Sequence, residues 1–374
     1  MGIIGEKKNL PFGVLWGEWD ISPLLRLNDI EEVFSEAINL NSYSNKKFVI
    51  VSTSSFDPHT DAVSIALEKV GVPCLRINTE EILNNFIFTW TNGLNVKKSV
   101  IKKRNSKRPF LFSEIISGYY RTPATVKPHM AISDSLGKSY AISEGSTFLE
   151  SIYFHSGLRW ISPPHLIRRA EAKLPQLQIA KFLGLQTPKT IVTNDPKKAL
   201  LFAKQVKFNL ITKPLNASSI LQDERSFETF ATKLSKVQFE ENMELIKYAP
   251  VVLQEYINKL TEIRVTVIGN DVFPIEMDSQ SIDEAKIDWR KVDPFAITCR
   301  PIKLPAKLIS ILRKFIKFYG MNFGVFDLIK TPDGSFFFLE NNPNGQWYWL
   351  EILTGQKMAY SMAKLLAGSY FKKK

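Results

Sequence analysis

Apolar positions recur along the chain in two rhythms, short unbroken runs and stretches of helical spacing. From residue 47 the two alternate, which reads as strands joined by helices. Residues 48–52 form a buried strand, 60–70 a helix closed by Gly71, and 73–77 a second strand. Strands are expected at 86–90 and 95–101 around the hairpin dipeptide Asn92-Gly93, and at 118–121, with one or two helices over 133–155. That alternation predicts an open sheet of the parallel type. No GxGxxG turn follows its first strand, which disfavours a dinucleotide site.

Pro163-Pro164 marks a break. A helix over 168–183, strand 190–193, helix 196–205, strand 209–213, helix 226–234 and strand 251–257 then predict a small α/β layer. The remainder reads as antiparallel: strands 262–268 and 272–277 about Gly269-Asn270, and strands 323–330 and 335–340 about Pro332-Asp333-Gly334. Helices are expected at 306–319, capped by Gly320, and at 356–366. Residues 1–45 precede the first strand and carry Phe12, Leu15, Trp16 and Trp19. A helical stretch there places Ile30, Val33, Phe34, Ala37 and Ile38 on one face, so the segment is expected to pack on something.

Composition narrows the class. The 374 residues exceed one ordinary core, and 44% hydrophobic with 23% charged residues is globular usage. The densest apolar run, Phe336-Phe337-Phe338-Leu339, is strand-sized, so no membrane partner is expected. The N-terminus lacks a signal pattern, and Glu6 stands where myristoylation wants Ser or Thr, so the expectation is a cytoplasmic protein. Cys74 and Cys299 sit in apolar contexts and read as reduced thiols; the four histidines share no paired-ligand spacing. The net charge is +12. Lys97, Lys98, Lys102, Lys103, Arg104, Lys107 and Arg108 cluster, and a 372–374 lysine tail adds to them. This is either a solvated loop or a surface for polyanions, nucleic acid or an acidic peptide. Only Phe110 and Phe112 accompany it, too few for the stacking platforms of single-strand binders.

The chemistry concentrates near the C-terminus. With Lys330 facing Ser335 across the 331–334 turn, Asp327 faces Phe338 and Glu340 lies diagonally beyond it on the same side, followed by Asn342. Their neighbours are apolar on both faces, so these hard oxygen donors suit a Mg²⁺ site shared with nucleotide phosphates. Lys213 ends an apolar strand, Lys173 lies in a helix with a core-facing side, and Gln254-Glu255-Tyr256-Ile257 leaves an apolar strand able to offer its backbone to an adenine edge.

That order of residues resembles the ATP-grasp superfamily. The finer wording is similar to one branch, the microviridin-type or graspetide ligases that close ω-ester rings in ribosomally made peptides. Arg168-Arg169-Ala170-Glu171-Ala172-Lys173-Leu174, Gln254-Glu255-Tyr256-Ile257 and Glu262-Ile263-Arg264-Val265-Thr266-Val267-Ile268-Gly269 carry the likeness. So do Asp288-Trp289-Arg290 and Glu340-Asn341-Asn342-Pro343-Asn344-Gly345-Gln346-Trp347. It covers about residues 46–370.

The resemblance implies an α/β (α+β) ATP-grasp fold. After the 1–45 extension come an N-terminal α/β domain at 46–165, a central lid at 166–253 and a C-terminal ATP-grasp domain at 254–374. It implies ATP and Mg²⁺ as cofactors. Lys173 and Lys213 would hold phosphates, Gln254, Glu255, Tyr256 and Ile257 the adenine, and Glu262 the ribose. Asp327, Glu340 and Asn342 would bind metal. Arg264 and Arg290 would face the acyl phosphate and acceptor carboxylate, with Asp288 positioning Arg290. The implied partner is an acidic precursor peptide, leader plus core; a homodimer stays open. Two features depart from the pattern: the loop Leu215-Asn216-Ala217-Ser218-Ser219 lacks glycines, and residues 1–45 are additional. The competing readings are an ATP-grasp amino-acid ligase adding glutamate to a protein tail or small peptide, a nucleic-acid binder, and an inactive ATP-binding scaffold.

Overall fold

The computed structural model describes residues 48–91, 99–107, 109–154, 158–215, 219–222 and 225–368. The N-terminal extension, Asn92-Gly93, Lys97, Lys98, Arg108, most of the loop after Leu215 and the lysine tail lie outside the described residues. The chain divides into two compact units, one running to Thr60, over Leu67–Trp160 and from Leu366 on, the other comprising Asp61–Ala66 and Ile161–Leu365.

Over residues 48–161 the chain forms β1 (Phe48–Thr53), α1 (Pro58–Lys69), β2 (Cys74–Asn78), β3 (Phe86–Thr89), β4 (Val100–Lys103), β5 (Phe110–Leu111), β6 (Ile115–Tyr120), α2 (Ser135–Tyr153) and β7 (Trp160–Ile161). The main sheet has the order β2-β1-β6-β7, and β1 runs parallel to both β2 and β6, as the alternating pattern predicts. Every residue of β1 is buried, which is why it reads as a continuous apolar run. Phe48, Ile50, Leu75 and Ile77 pack with Leu149 and Ile152 of α2. A separate antiparallel sheet takes β3, β4 and β5. Beyond the end of β1, Asp57 accepts from Thr53 Oγ1 at 2.9 Å and from His59, and Arg121 lies 3.6 Å away; all three charged or titratable residues are buried.

The second unit opens with α3 (Pro164–Ala170) and α4 (Lys173–Phe182), not with the single helix expected over 168–183. Pro175 explains the break. Its ring would collide with the carbonyl of residue 171 in a continuous helix, whereas Pro in the first turn of a new helix is tolerated. Lys173 therefore opens a helix, with Ala172 extended before it.

A four-stranded sheet follows, built from β8 (Thr190–Thr193), β9 (Leu210–Lys213), β12 (Thr232–Leu234) and β13 (Val251–Glu255) in the order β12-β9-β13-β8. Helices α5 (Pro196–Gln205) and α6 (Lys236–Asn242) accompany it, with Phe202, Leu210, Phe239 and Leu253 in the shared core. The helix expected over 226–234 is absent. Residues Arg225–Glu228 form β11, antiparallel to β10 (Ser219–Gln222), and β12 pairs with β9. Strand pairing supplied by neighbouring segments outweighs a weak helical spacing there.

The last part is a five-stranded sheet of order β16-β15-β14-β17-β18, from β14 (Thr261–Ile268), β15 (Asp271–Met277), β16 (Cys299–Pro301), β17 (Phe323–Lys330) and β18 (Phe336–Asn342). Helix α7 (Ala306–Phe318) lays Phe315 against Phe326 and Phe338, each 5.4 Å between ring centroids. Helices α8 (Tyr348–Thr354) and α9 (Met358–Ala367) end the unit's sequence, α8 being unforeseen. Gly334, at φ +86°, closes the hairpin between β17 and β18 through its N–H to Thr331 O at 2.9 Å.

The register of that hairpin corrects the expected one. Lys330 pairs with Phe336 and Leu328 with Phe338, after which the register shifts so that Asp327 pairs with Glu340 directly. Leu339 is the extra residue. The bulge lets Phe338 face α7 while Glu340, two residues on, faces the opposite side.

Candidate nucleotide-dependent ligase site

Three adjacent strands put one functional side chain each into a single row. Arg264 of β14 pairs with Asp327 of β17, which pairs with Glu340 of β18. Arg264 Nη1 donates to Asp327 Oδ1 at 2.6 Å, and Asn342 Nδ2 donates to Asp327 Oδ2 at 3.0 Å and to Glu340 Oε1 at 3.4 Å. Asp327, Glu340 and Asn342 thus share one face. Among the described residues no group of three or more His, Cys, Asp or Glu side chains forms a metal cluster. Two carboxylates and an amide are the donor set of a Mg²⁺ that takes its other ligands from phosphate and water.

Lys173 Nζ closes the row, 3.3 Å from Glu340 Oε2, and also donates to the carbonyl of Pro214 at 3.4 Å, next to Lys213 at the end of β9. Gln176, which the sequence reading missed, fixes this arrangement. Its side chain donates to Asn341 O at 2.9 Å and accepts from Asn341 N at 2.7 Å, pinning α4 to β18. The signal was present: a glutamine one turn after Lys173 on the face that also buries Ala180.

The charges are strongly coupled. Burial raises the Asp327 carboxyl to about 6, with Glu340 and Glu262 adding to the rise and Arg264 opposing it. Burial also works against the charged form of Glu340, but Lys173 and Lys213 overcome it and hold Glu340 below the ordinary range. Burial draws the Lys213 ammonium downward, against the pull of Glu340. Two carboxylates side by side repel, and a cation between them relieves the strain of charge.

The remaining expected residues divide. Gln254 lies in the ladder between β8 and β9, and its side chain donates to Thr190 Oγ1 at 2.8 Å. The strand ends at Glu255. The N–H groups of Glu255 and Tyr256 go to Lys189 O and Asn209 O, and the Tyr256 carbonyl accepts from Asn209 Nδ2 at 2.7 Å. Glu262 is buried and accepts from Lys259 Nζ at 2.5 Å and Ser279 Oγ at 2.9 Å. Asp288 takes Arg290 Nε at 2.9 Å and Nη2 at 2.5 Å, together with the N–H of Ala231 at 2.9 Å. The Arg290 guanidinium, 41% exposed, lies 5.8 Å from the Phe230 ring, whereas Arg264 lies 5.6 Å from Trp289 and donates from Nη2 to Gln346 O at 2.9 Å. Trp289, 5.3 Å from Trp349 between ring centroids, thus lies beside Arg264, and Phe230 beside Arg290.

The loop after β18 comes close to the sheet: a Cβ on Gly345 would lie 2.7 Å from the Cβ of Val325. Of the two free cysteines, both half-buried, Cys299 has its thiol pushed up to about 11 by burial. No helix among the described residues is long and apolar enough to cross a membrane.

No family model and no curated protein matches the chain. Solved structures do. A RiPP-associated ATP-grasp ligase of Chryseobacterium gregarium, in complex with ADP and a leader and core peptide, superposes with a TM-score of 0.78 at 26% identity, covering 86% of this chain and 96% of that one. The macrocyclase MdnC of Microcystis aeruginosa MRC, bound with precursor peptide MdnA, gives 0.73 at 26% identity over 86% and 100%. The macrocyclase MdnB of the same organism gives 0.67 at 27% identity over 86% and 99%. Over 86% of its length the chain has the ATP-grasp fold of these ligases. Within that class it is similar to the ligases associated with ribosomally made peptides, the branch its sequence motifs resemble.

Proposed function

We propose that the protein uses Mg-ATP to phosphorylate Glu or Asp side chains of an acidic precursor peptide and joins them to Thr, Ser or Lys, closing ω-ester or ω-amide rings. The observation that carries this reading is the row Arg264–Asp327–Glu340 with Lys173 at its end, where two adjacent carboxylates are flanked by a cation on either side. Bound metal would supply charge neutralisation between phosphate and carboxylate. Asp327 and Glu340 would hold it, with Asn342 turning its amide oxygen inward. Lys173 and Lys213 would orient phosphates. We place the adenine edge at the backbone of Ile257, since the neighbouring polar groups of Glu255 and Tyr256 already have partners. Glu262 is assigned to the ribose.

Arg264, held against Gln346 O, faces the acyl-phosphate centre, and Arg290, fixed by Asp288, receives the acceptor carboxylate. Electrostatic neutralisation and positioning suffice for this chemistry, and no covalent enzyme intermediate is required. The 166–253 segment acts as the lid, the partner is leader plus core peptide, and the setting is the cytoplasm. Incubation of the enzyme with ATP, Mg²⁺ and a synthetic acidic peptide carrying Glu, Asp, Thr, Ser and Lys tests the reading by mass spectrometry. Ring closure removes one water per bond formed. A product heavier by whole glutamate residues would instead establish an amino-acid ligase.

A further inference from the structure

The buried lysine that pairs with Glu262 at the start of β14 has no part in the reading above. The Lys259 side chain, 6% exposed, donates from Nζ to Glu262 Oε1 at 2.5 Å and to the carbonyl of Ile287 at 3.3 Å. The fully buried Ser279 donates to the same Glu262 oxygen at 2.9 Å. Burying a lysine is costly unless it is paired and hydrogen-bonded, and the pair alone would meet that need. The contact with the Ile287 carbonyl is the informative one. Ile287 immediately precedes Asp288-Trp289-Arg290, the turn whose carboxylate holds Arg290 and takes the Ala231 N–H.

Glu262 and Arg264 project to the same face of β14, two residues apart. A continuous set of polar contacts therefore runs from Glu262 through the Lys259 ammonium to the backbone that presents Arg290. Ammonium is suited to this, because its three donors can serve a carboxylate and a carbonyl together. Lys259 thus helps to fix the Ile287 carbonyl, and Glu262 helps to fix Lys259.

We propose that Lys259 is a positioning residue that couples the nucleotide side of the site to the Arg290 turn, so that a nucleotide hydroxyl bonded to Glu262 stiffens the acceptor side. The inference rests on the assignment of Glu262 to the ribose. Hydrogen exchange on the full chain, with and without saturating Mg-ADP, reads it directly. In the wild type, Mg-ADP should slow exchange around Lys213 and Asp327 and also over 286–292. In Lys259→Met the first two segments should still be protected while the added protection of 286–292 disappears, and Lys259→Arg should restore part of it. Should Lys259→Met fail to fold, Lys259→Gln, which keeps a hydrogen-bond donor toward Glu262 without the ammonium that also reaches the Ile287 carbonyl, must show the same selective loss. Equal protection of 286–292 in the wild type and the Met variant overturns the coupling, as does a wild-type turn that ignores ADP while Lys213 and Asp327 respond. Absence of protection everywhere in the second unit overturns the nucleotide assignment itself, and the coupling with it.

Discussion

Single side chains decide the chemistry at the row Arg264–Asp327–Glu340. Glu340→Gln keeps shape and hydrogen-bonding capacity but removes a charge that Lys173 and Lys213 both face. Peptide-dependent ADP release should fall by at least roughly a hundredfold with little change in the melting curve. Near-normal turnover would remove Glu340 from the metal set. Arg290 hydrogen-bonds Asp288 and lies beside the Phe230 ring, and its proposed role is with the acceptor and not the nucleotide. Arg290→Ala should hold the calorimetric Kd for Mg-ADP within about twofold while product formation drops roughly a hundredfold. A loss confined to ADP affinity would sink the acceptor role. At this scale the sequence was informative: residue types and spacing singled out Lys173, Lys213, Asp327, Glu340 and Asn342, and the family resemblance added Arg264, Asp288 and Arg290. It could not reveal that Gln176 pins Lys173 over Glu340, because a buried amide bridging a helix and a strand far apart in sequence leaves no local pattern.

Elements were legible wherever a segment's own spacing settled its state. Strands β14 and β17 and helices α5 and α7 follow their apolar periods. Failures came where partners or a single residue intervened: Pro175 split a helix, β10 and β9 recruited 225–234 into strands, and Leu339 shifted a register. The loop that follows β18 offers a test. A Cβ added at Gly345 would meet the Cβ atoms of Val325 and Asn342 at 2.7 and 2.9 Å, so Gly345→Ala must displace the loop that receives Arg264 at Gln346 O. A stability loss of ~1–3 kcal/mol in urea unfolding and a fall in turnover should accompany it.

The polar knot after β1 makes a second prediction. Burial alone would raise Asp57, but its bond with His59 and the charges of Arg121 and His59 outweigh that and bring its pKa from 3.8 to about 2. A depressed folded pKa stabilises above the unfolded value and is lost as pH falls. About 2 kcal/mol should therefore be present in full above about pH 5 and disappear as pH drops through about 2. Urea midpoints of wild type and Asp57→Asn across that window should converge at the acid end.

At the scale of the whole molecule the net charge of +12 favours encounter with an acidic peptide. Lys103 and Arg104 are exposed and Lys102 half-buried at the end of β4. Neutralising the three together should slow association of a labelled acidic peptide and flatten its salt dependence, since screening acts over about 8 Å at physiological ionic strength. Mg-ADP affinity should stay unchanged. Stopped-flow traces at two salt concentrations decide it, and identical rates and slopes would mark the cluster as a solvated loop end.

The extra residue at Leu339 reaches beyond this one active site, into how such enzymes can be recombined. Odd and even positions of β18 trade sides halfway along the strand. A chimera that imports β18 alone from a relative, cut on either side of residue 339, inherits a parity set by someone else's β17. It would bury a carboxylate under α7 or turn a phenylalanine toward the phosphates. Exchanged as one cassette from β17 through the Gly334 turn to Asn342, the hairpin carries its own parity with it. Crossover points for engineered ligases with new peptide specificities therefore belong in the loops outside 323–342 and never within it.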